Sequence, residues 1–246
     1  MASPLTATAA LLIGALIGLT GIGGVFLIPL LLVVEARPVH QVVGTLLLSF
    51  AFAQTVGVGM YARRGAIEWR TTLLLCLGAV PCAPLGASLS VALPPGTLRV
   101  LLAAFLVLAG VRILYDGRRP AVERPRRQLP APLLVALGAL IGLTAGLLGV
   151  GGPIILGPVL LLLGTPVATT VGINQVIGLV SSAAGAAGHL LFGEVDVPLA
   201  LLLTSCLMVG IFLGARAARR VAPARLRGLL AVVCLAVAPL VGLSGG

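Results

Sequence analysis

Residues 5–34 run for thirty positions without a single charged side chain, and Gly21, Gly23, Gly24 and Pro29 stand in the middle of that run. A helix of thirty residues would be about 45 Å long, against a hydrocarbon core of about 30 Å. The stretch is therefore too long for one ordinary crossing and too apolar for water. Glycine and proline interrupt helices, and inside a bilayer irregular backbone survives only where protein or a cavity covers it. The run predicts two half-helices that fold back on each other near the middle of the membrane.

The rest of the chain agrees with a membrane setting. Of 246 residues, 59% are hydrophobic and 9% charged, with a mean hydropathy of +1.21. A soluble domain carries about 25% charged residues, so this composition excludes a water-facing surface of normal size. The net charge of +10 does not indicate nucleic-acid binding. All sixteen basic residues are Arg, and ten of them fall in two short stretches, Arg118–Arg127 and Arg216–Arg227. Basic clusters of that kind mark cytoplasmic loops. A cleavable signal peptide is not expected, because the N-terminus lacks a basic region and its apolar run is too long. Cys76, Cys82, Cys206 and Cys234 lie in apolar stretches without CxxC spacing or nearby histidines, so neither disulfides nor a metal site nor any cofactor is indicated.

The chain repeats itself. GALIGLT occurs at Gly14–Thr20 and again at Gly138–Thr144. Allowing a four-residue insertion at Ala145–Leu148, the offset becomes 128 and holds. It relates Gly21-Ile22-Gly23-Gly24 to Gly149-Val150-Gly151-Gly152, Val43-Gly44 to Val171-Gly172, and Leu85-Gly86-Ala87 to Leu213-Gly214-Ala215. Each copy holds one long apolar segment and three ordinary ones. These are 5–34, 40–61, 70–92 and 97–115 in the first copy, and 132–163, 168–192, 197–215 and 224–243 in the second. The reading divides the chain into a first repeat at 1–115, a basic cytoplasmic linker at 116–131 and a second repeat at 132–246.

Loop charges orient the copies. The connection after the second segment holds Arg63, Arg64 and Arg70 in the first copy, but Glu194 and Asp196 in the second. The next connection reverses the bias, with Arg99 alone against five arginines. Positive loops stay inside, so equivalent loops face opposite sides. The fold class expected is an all-α integral membrane protein of two inverted repeats, each a broken, re-entrant half-helix hairpin plus three transmembrane helices. Both termini would then lie outside.

Inverted repeats with discontinuous helices are the architecture of secondary transporters, whose sites lie between the copies. The candidate substrate-binding residues are Gly21, Gly23 and Gly24 with their counterparts Gly149, Gly151 and Gly152, then Thr45, Asn174 and Gln175. Helix N-termini carry unpaired amides and positive potential, and glycine lets an anion approach that backbone closely. Two such breaks brought together would cradle an anion without a buried Arg. The alternative is that the glycines only permit close helix packing, the role assigned to Gly14, Gly18, Gly138 and Gly142. Asn174 and Gln175 stand where the first copy has Leu46 and Leu47, and an amide in an apolar helix needs a partner. That partner is either the cavity or another helix. Ser49 and Gln54 share the choice; Thr20 and Thr144 invite back-bonding to their own helices. His40 and His189 do not match each other in the repeat and read as interfacial residues or proton relays. The intramembrane carboxylate expected for proton coupling is missing, which leans towards export down the membrane potential.

At Gly21–Gly24 ahead of Pro29, Val43-Gly44-Thr45, Gly65-Ala66-Ile67-Glu68-Trp69, and Gly149–Gly152 ahead of Pro158, the sequence resembles the TauE/SafE family of sulfite-exporter, or TSUP-type, membrane permeases. The resemblance covers nearly the whole chain. It departs at Ile173-Asn174-Gln175, where family members often carry a Thr-Ser pair. What it implies is transport of sulfite or of organosulfonates such as sulfoacetate. The function expected is therefore a non-enzymatic inner-membrane permease for a small anion, working by alternating access. The alternatives are a carrier or channel for another small anion or a neutral solute. The expected partners are the substrate anion and the lipid bilayer, with a homodimer left open and nucleic acid excluded.

Overall fold

The computed structural model describes residues 4–117, 129–149 and 153–218. The body of the linker (118–128), the core of the second break (Val150, Gly151 and Gly152) and the expected last segment at 224–243 lie outside these residues. Within them the chain is helical throughout. The first long segment is α1 (Pro4–Thr20), a short 3₁₀ turn (Gly24–Phe26) and α2 (Leu27–Val33); α3 (Val39–Ala62), α4 (Trp69–Ala92) and α5 (Pro95–Gly117) follow. After the linker come α6 (Ala131–Leu148), α7 (Pro153–Leu162), α8 (Val167–Phe192) and α9 (Val197–Ala217). Helices α3, α4, α6, α8 and α9 are each long and apolar enough to cross a membrane. Leu73 and Leu77 of α4 and Leu201 of α9 are more than 60% exposed, as expected of side chains that meet lipid. The protein is an all-α, multi-pass membrane protein.

Glycines set the packing. A Cβ on Gly14 would lie 2.7 Å from the Leu207 carbonyl oxygen, Gly18 abuts Ile211 and Ala215, and Gly210 and Gly214 abut Leu11 and Ala15. Partner numbers rise together, so α1 and α9 run parallel. Helices α4 and α6 do the same: Gly138, Gly142 and Gly146 sit on Leu75, Ala79 and Ala83, while Gly78 and Gly86 sit on Val135 and Leu143. In lipid no hydrophobic force draws helices together, and backbone approach of this closeness supplies van der Waals contact instead. Each of these two pairs joins a helix before the linker to one after it.

Between them, α3 crosses α8. Here Leu47 lies on Gly185, Gln54 on Gly178, and Gly57 under Gln175. One number falls as the other rises, so the two helices run antiparallel. The polar contacts of α3 with α9 keep a constant separation: the Asp196 amide donates to Thr45 Oγ1, the Ser49 hydroxyl to the Ala200 carbonyl, and Arg64 to the Ala215 carbonyl. Thus α3 and α9 are parallel. Contacts of Gly188 with Pro84 and Ala87, and of Gly193 with Val91, make α4 and α8 parallel too. Helices α1, α3 and α9 point one way and α4, α6 and α8 the other.

This packing corrects the register of the repeat. Gly14 faces Leu207 and Gly142 faces Ala79; Gly18 faces Ile211 and Gly146 faces Ala83. Each contact is its counterpart shifted by 128 on both sides, and α1 and α6 end at Thr20 and Leu148, also 128 apart. No insertion is present. The identical GALIGLT strings are one helical turn out of structural register.

The broken segment folds back as a hairpin: Thr6 Oγ1, near the start of α1, donates to Glu35 Oε1, just beyond α2, at 2.5 Å. The turn is not central. Gly18 accepts a 3.0 Å hydrogen bond from the Tyr61 hydroxyl at the far end of α3, so α1 climbs most of the length of α3 before it breaks. With 17 residues it spans about 25 Å. Nothing stops the helix earlier, because Gly14 and Gly18 serve packing. The stop comes at Gly21, whose φ is +73°.

Candidate functional site

Gly21 ends α1 in the left-handed conformation that glycine adopts without steric cost. Its amide still donates to the Ile17 carbonyl at 2.8 Å, and the Ile22 amide donates to Thr20 Oγ1 at 3.2 Å. Thr20 also donates back to Leu16 and Ile22 carbonyls, so it shapes the break rather than lining it. These two amides are spent within the chain, and Gly23 is buried, with a Cβ there 2.9 Å from Ile17 Cγ1. Gly24 has a packing duty of its own: a Cβ there would lie 2.7 Å from the edge of the Phe50 ring.

The first two turns of α8 press Asn174 against this break. Its Nδ2 lies 3.3 Å from where a Gly21 Cβ would stand and 3.2 Å from the same point on Gly157 of α7. The amide is thus held between the α1–α2 break and α7. Asn174 is fully buried, yet neither Oδ1 nor Nδ2 has a hydrogen-bond partner among the described residues. Leaving a buried polar atom unpaired costs about 1–3 kcal/mol. Gln175, its neighbour, is half satisfied: Nε2 donates to the Ile17 carbonyl at 3.0 Å, while Oε1 is buried and unpartnered. The result is a neutral polar spot offering two donor hydrogens and two acceptor oxygens, enclosed by apolar helices.

The other predicted residues part company. Thr45 is fully buried and its hydroxyl accepts from the Asp196 amide. It staples α3 to the start of α9, at the opposite end of α8 from Asn174. Ser49 donates to Thr45 and Ala200 carbonyls. Thr144 back-bonds to Leu140 and Ile141 within α6. Gln54 packs its amide into the notch at Gly178, as Gln175 does at Gly57. Sequence reasoning missed both notches and Gly157, although the matching strings Gln54-x-x-Gly57 and Gln175-x-x-Gly178 signalled the first two.

The second break does not join the first. Gly149 has φ +67° and sits on the Val43 backbone, and the last turn of α6 before it meets α8 at Gly185 and His189. Gly21 meets α8 at Val171 and Asn174. Some fourteen residues of helix separate those levels, or about 21 Å at 1.5 Å each. The single cradle expected from two abutting breaks is therefore not formed by Gly21 and Gly149. Gly151 and Gly152 lie outside the described residues. A small pocket of about 60 Å³ between α4, α6 and α7, lined by Glu68, Arg70 and Thr165 among others, contains none of the predicted site residues. Among the described residues no group of three His, Cys, Asp or Glu side chains is placed to hold a metal ion.

A multi-pass helical bundle with a helix broken beside a buried, unspent amide has the discontinuous-helix architecture that membrane transporters use. The chain belongs to the sulfite exporter TauE/SafE family, whose profile matches residues 6–240. Among curated proteins it is similar to the probable membrane transporter protein YdhB of Bacillus subtilis, at 28% identity over 83% of this chain and 86% of that one. It is also similar to the probable membrane transporter protein YjnA of the same organism, at 26% over 92% and 94%. A third relative, the probable membrane transporter protein ORF9 of a Sinorhizobium species, is 30% identical over 94% and 88%. No solved structure matches the chain. The protein is a membrane transporter, not an enzyme.

Proposed function

We propose that this transporter carries a small anion, a sulfur oxyanion or organosulfonate of the sulfite or sulfoacetate type, across the inner membrane by alternating access. The carrying observation is Asn174. A buried amide with both atoms unspent costs stability, and a substrate that accepts from Nδ2 would remove the donor's share of that cost. The first break supplies close backbone approach at Gly23 and Gly24, and the family description supplies the sulfur chemistry. A second reading, a neutral solute, draws on the neutrality of the amide itself.

In this reading the two copies are inverted repeats. The antiparallel crossing of the equivalent helices α3 and α8 supports inversion, as do the alternating loop charges. Arg63, Arg64, Arg70 and Arg216 stand at one end, where the basic linker would be cytoplasmic; Glu194 and Asp196 stand at the other, with both termini outside. The moving parts are then α1, α3 and α9 against α4, α6 and α8, and each set takes helices from both copies. The α3–α8 crossing, where two glutamine amides rest in glycine notches, is the pivot.

The test is a thermal-shift screen of the purified protein against sulfite, sulfate, thiosulfate, sulfoacetate and taurine. Stabilisation by at least one of the anions is expected, and its loss in Asn174→Leu ties it to the site. Stabilisation by neutral or cationic solutes alone would sink the anion reading. Saturable uptake in proteoliposomes separates a carrier from a channel.

A further inference from the structure

Among the described residues, the histidine of α8 is a fully buried ionisable side chain that the proposed transport does not use. His189 has no exposed surface. Its Nε2 lies 3.0 Å from the carbonyl oxygen of Gly146 on α6. A carbonyl only accepts, so Nε2 carries the hydrogen. In the neutral ring this leaves Nδ1 as a bare lone pair, and Nδ1 is buried without a partner among the described residues. A histidine held only for packing or for the Gly146 bond gains nothing from that second nitrogen.

Its surroundings are sparse in charge. From α3, Gly44 packs against the His189 Cβ, and His40, one turn away, presents another buried, unpartnered Nδ1. From α4 come Pro84, Ala87 and Val91, all apolar, packed on Gly188 and Gly193. From α6 comes the Gly146 carbonyl. The turn after α8 brings Glu194, exposed, and Asp196, committed to Arg37 at 2.8 Å. No carboxylate occurs within α3, α4, α6, α8 or α9.

We propose that His189 is a proton-binding site. Nδ1 takes a proton from the side of the membrane where α8 ends, with His40 beside the route, and gives it back without any bond breaking elsewhere. The ring goes from neutral to singly positive. The Nε2–H bond to Gly146 then becomes charge-assisted and shortens. Gly146 lies three residues before Gly149, so the charge is felt at the end of α6. For a monovalent anion, moving with this proton cancels the net charge carried; that consequence rests on the proposed function, whereas the proton site does not.

The chain has only two histidines, so ¹⁵N-histidine NMR of the full-length protein in lipid nanodiscs resolves them, with His40→Gln and His189→Gln as assignment variants. If His189→Gln does not fold, His40→Gln assigns alone. On acidification from about pH 8 through and below the range natural to a free imidazole, His189 should begin with Nε2 protonated and Nδ1 bare, then gain a proton on Nδ1 reversibly while the protein stays folded. Nδ1 that stays bare throughout in folded protein, or is already protonated at the alkaline end, overturns the proposal. Failure of every anion in the thermal-shift screen to stabilise the protein would sink the anion reading and leave this titration standing.

Discussion

Replacing Asn174 with leucine separates a binding residue from a structural one by the sign of its effect. The branching at Cγ is preserved, and the repeat counterpart, Leu46, is itself a leucine with no exposed surface. The substitution removes two buried atoms that have no partner. Each relieves about 1–3 kcal/mol of desolvation. Against this, leucine is bulkier, and Gly21 and Gly157 stand within van der Waals reach; overpacking costs about 1–3 kcal/mol. At mid-range values the net expectation is a protein more stable than the parent by about 2 kcal/mol. At about 2–4 °C per kcal/mol for a chain of this size, the melting temperature should rise by several degrees in a detergent melt. Transport in proteoliposomes should be lost. A gain in stability with loss of function is the usual mark of a site kept strained for work. The reasoning is refuted if Asn174→Leu melts well below the parent, because the amide would then be hydrogen-bonded in the native state.

Helix packing gives sharper contrasts. Gly146→Ala should cost about 1–3 kcal/mol, because its Cβ would enter the Ala83 carbonyl. Gly59→Ala, on α3 with nothing within 4 Å, should instead gain about 0.5–1 kcal/mol; melts of the two variants side by side check the pair. Thr45→Val deletes the acceptor for the Asp196 amide, so it should lower stability by about 1–2 kcal/mol while substrate affinity of the folded fraction, measured by uptake, stays unchanged. Asp196→Asn keeps a cap for the Leu199 amide but breaks the part-exposed pair with Arg37, and should cost about 1 kcal/mol or less; Asp196→Ala loses both and should melt lower still.

Element boundaries were legible because each has a chemical cause. The second segment reads 40–61 from its apolar run, and α3 runs Val39–Ala62 between Pro38 and the Arg63-Arg64-Gly65 turn. The break at Gly21 was legible from glycine, and Asn174 from the oddity of an amide among aliphatic residues. The depth of the break was not legible: Gly14 and Gly18 look as interruptible as Gly21, and only the backbone of α9 lying against them marks them as packing positions. The repeat register misled for a related reason. Small residues recur every fourth position, so a sequence slipped by one turn matches itself, whereas carbonyl-to-glycine contacts admit one alignment. Gly24 and Thr45 were chosen for their neighbours in sequence; their neighbours in space are Phe50 and Asp196.

The pairing of α1 with α9 and of α4 with α6 bears on how the chain is made. The first helix enters the bilayer nearly two hundred residues before its partner exists, and its glycine stripe must meanwhile face lipid or a chaperone. Neither half can close its own glycine interfaces, so each half expressed alone should be degraded, while the two expressed together as separate polypeptides should find each other.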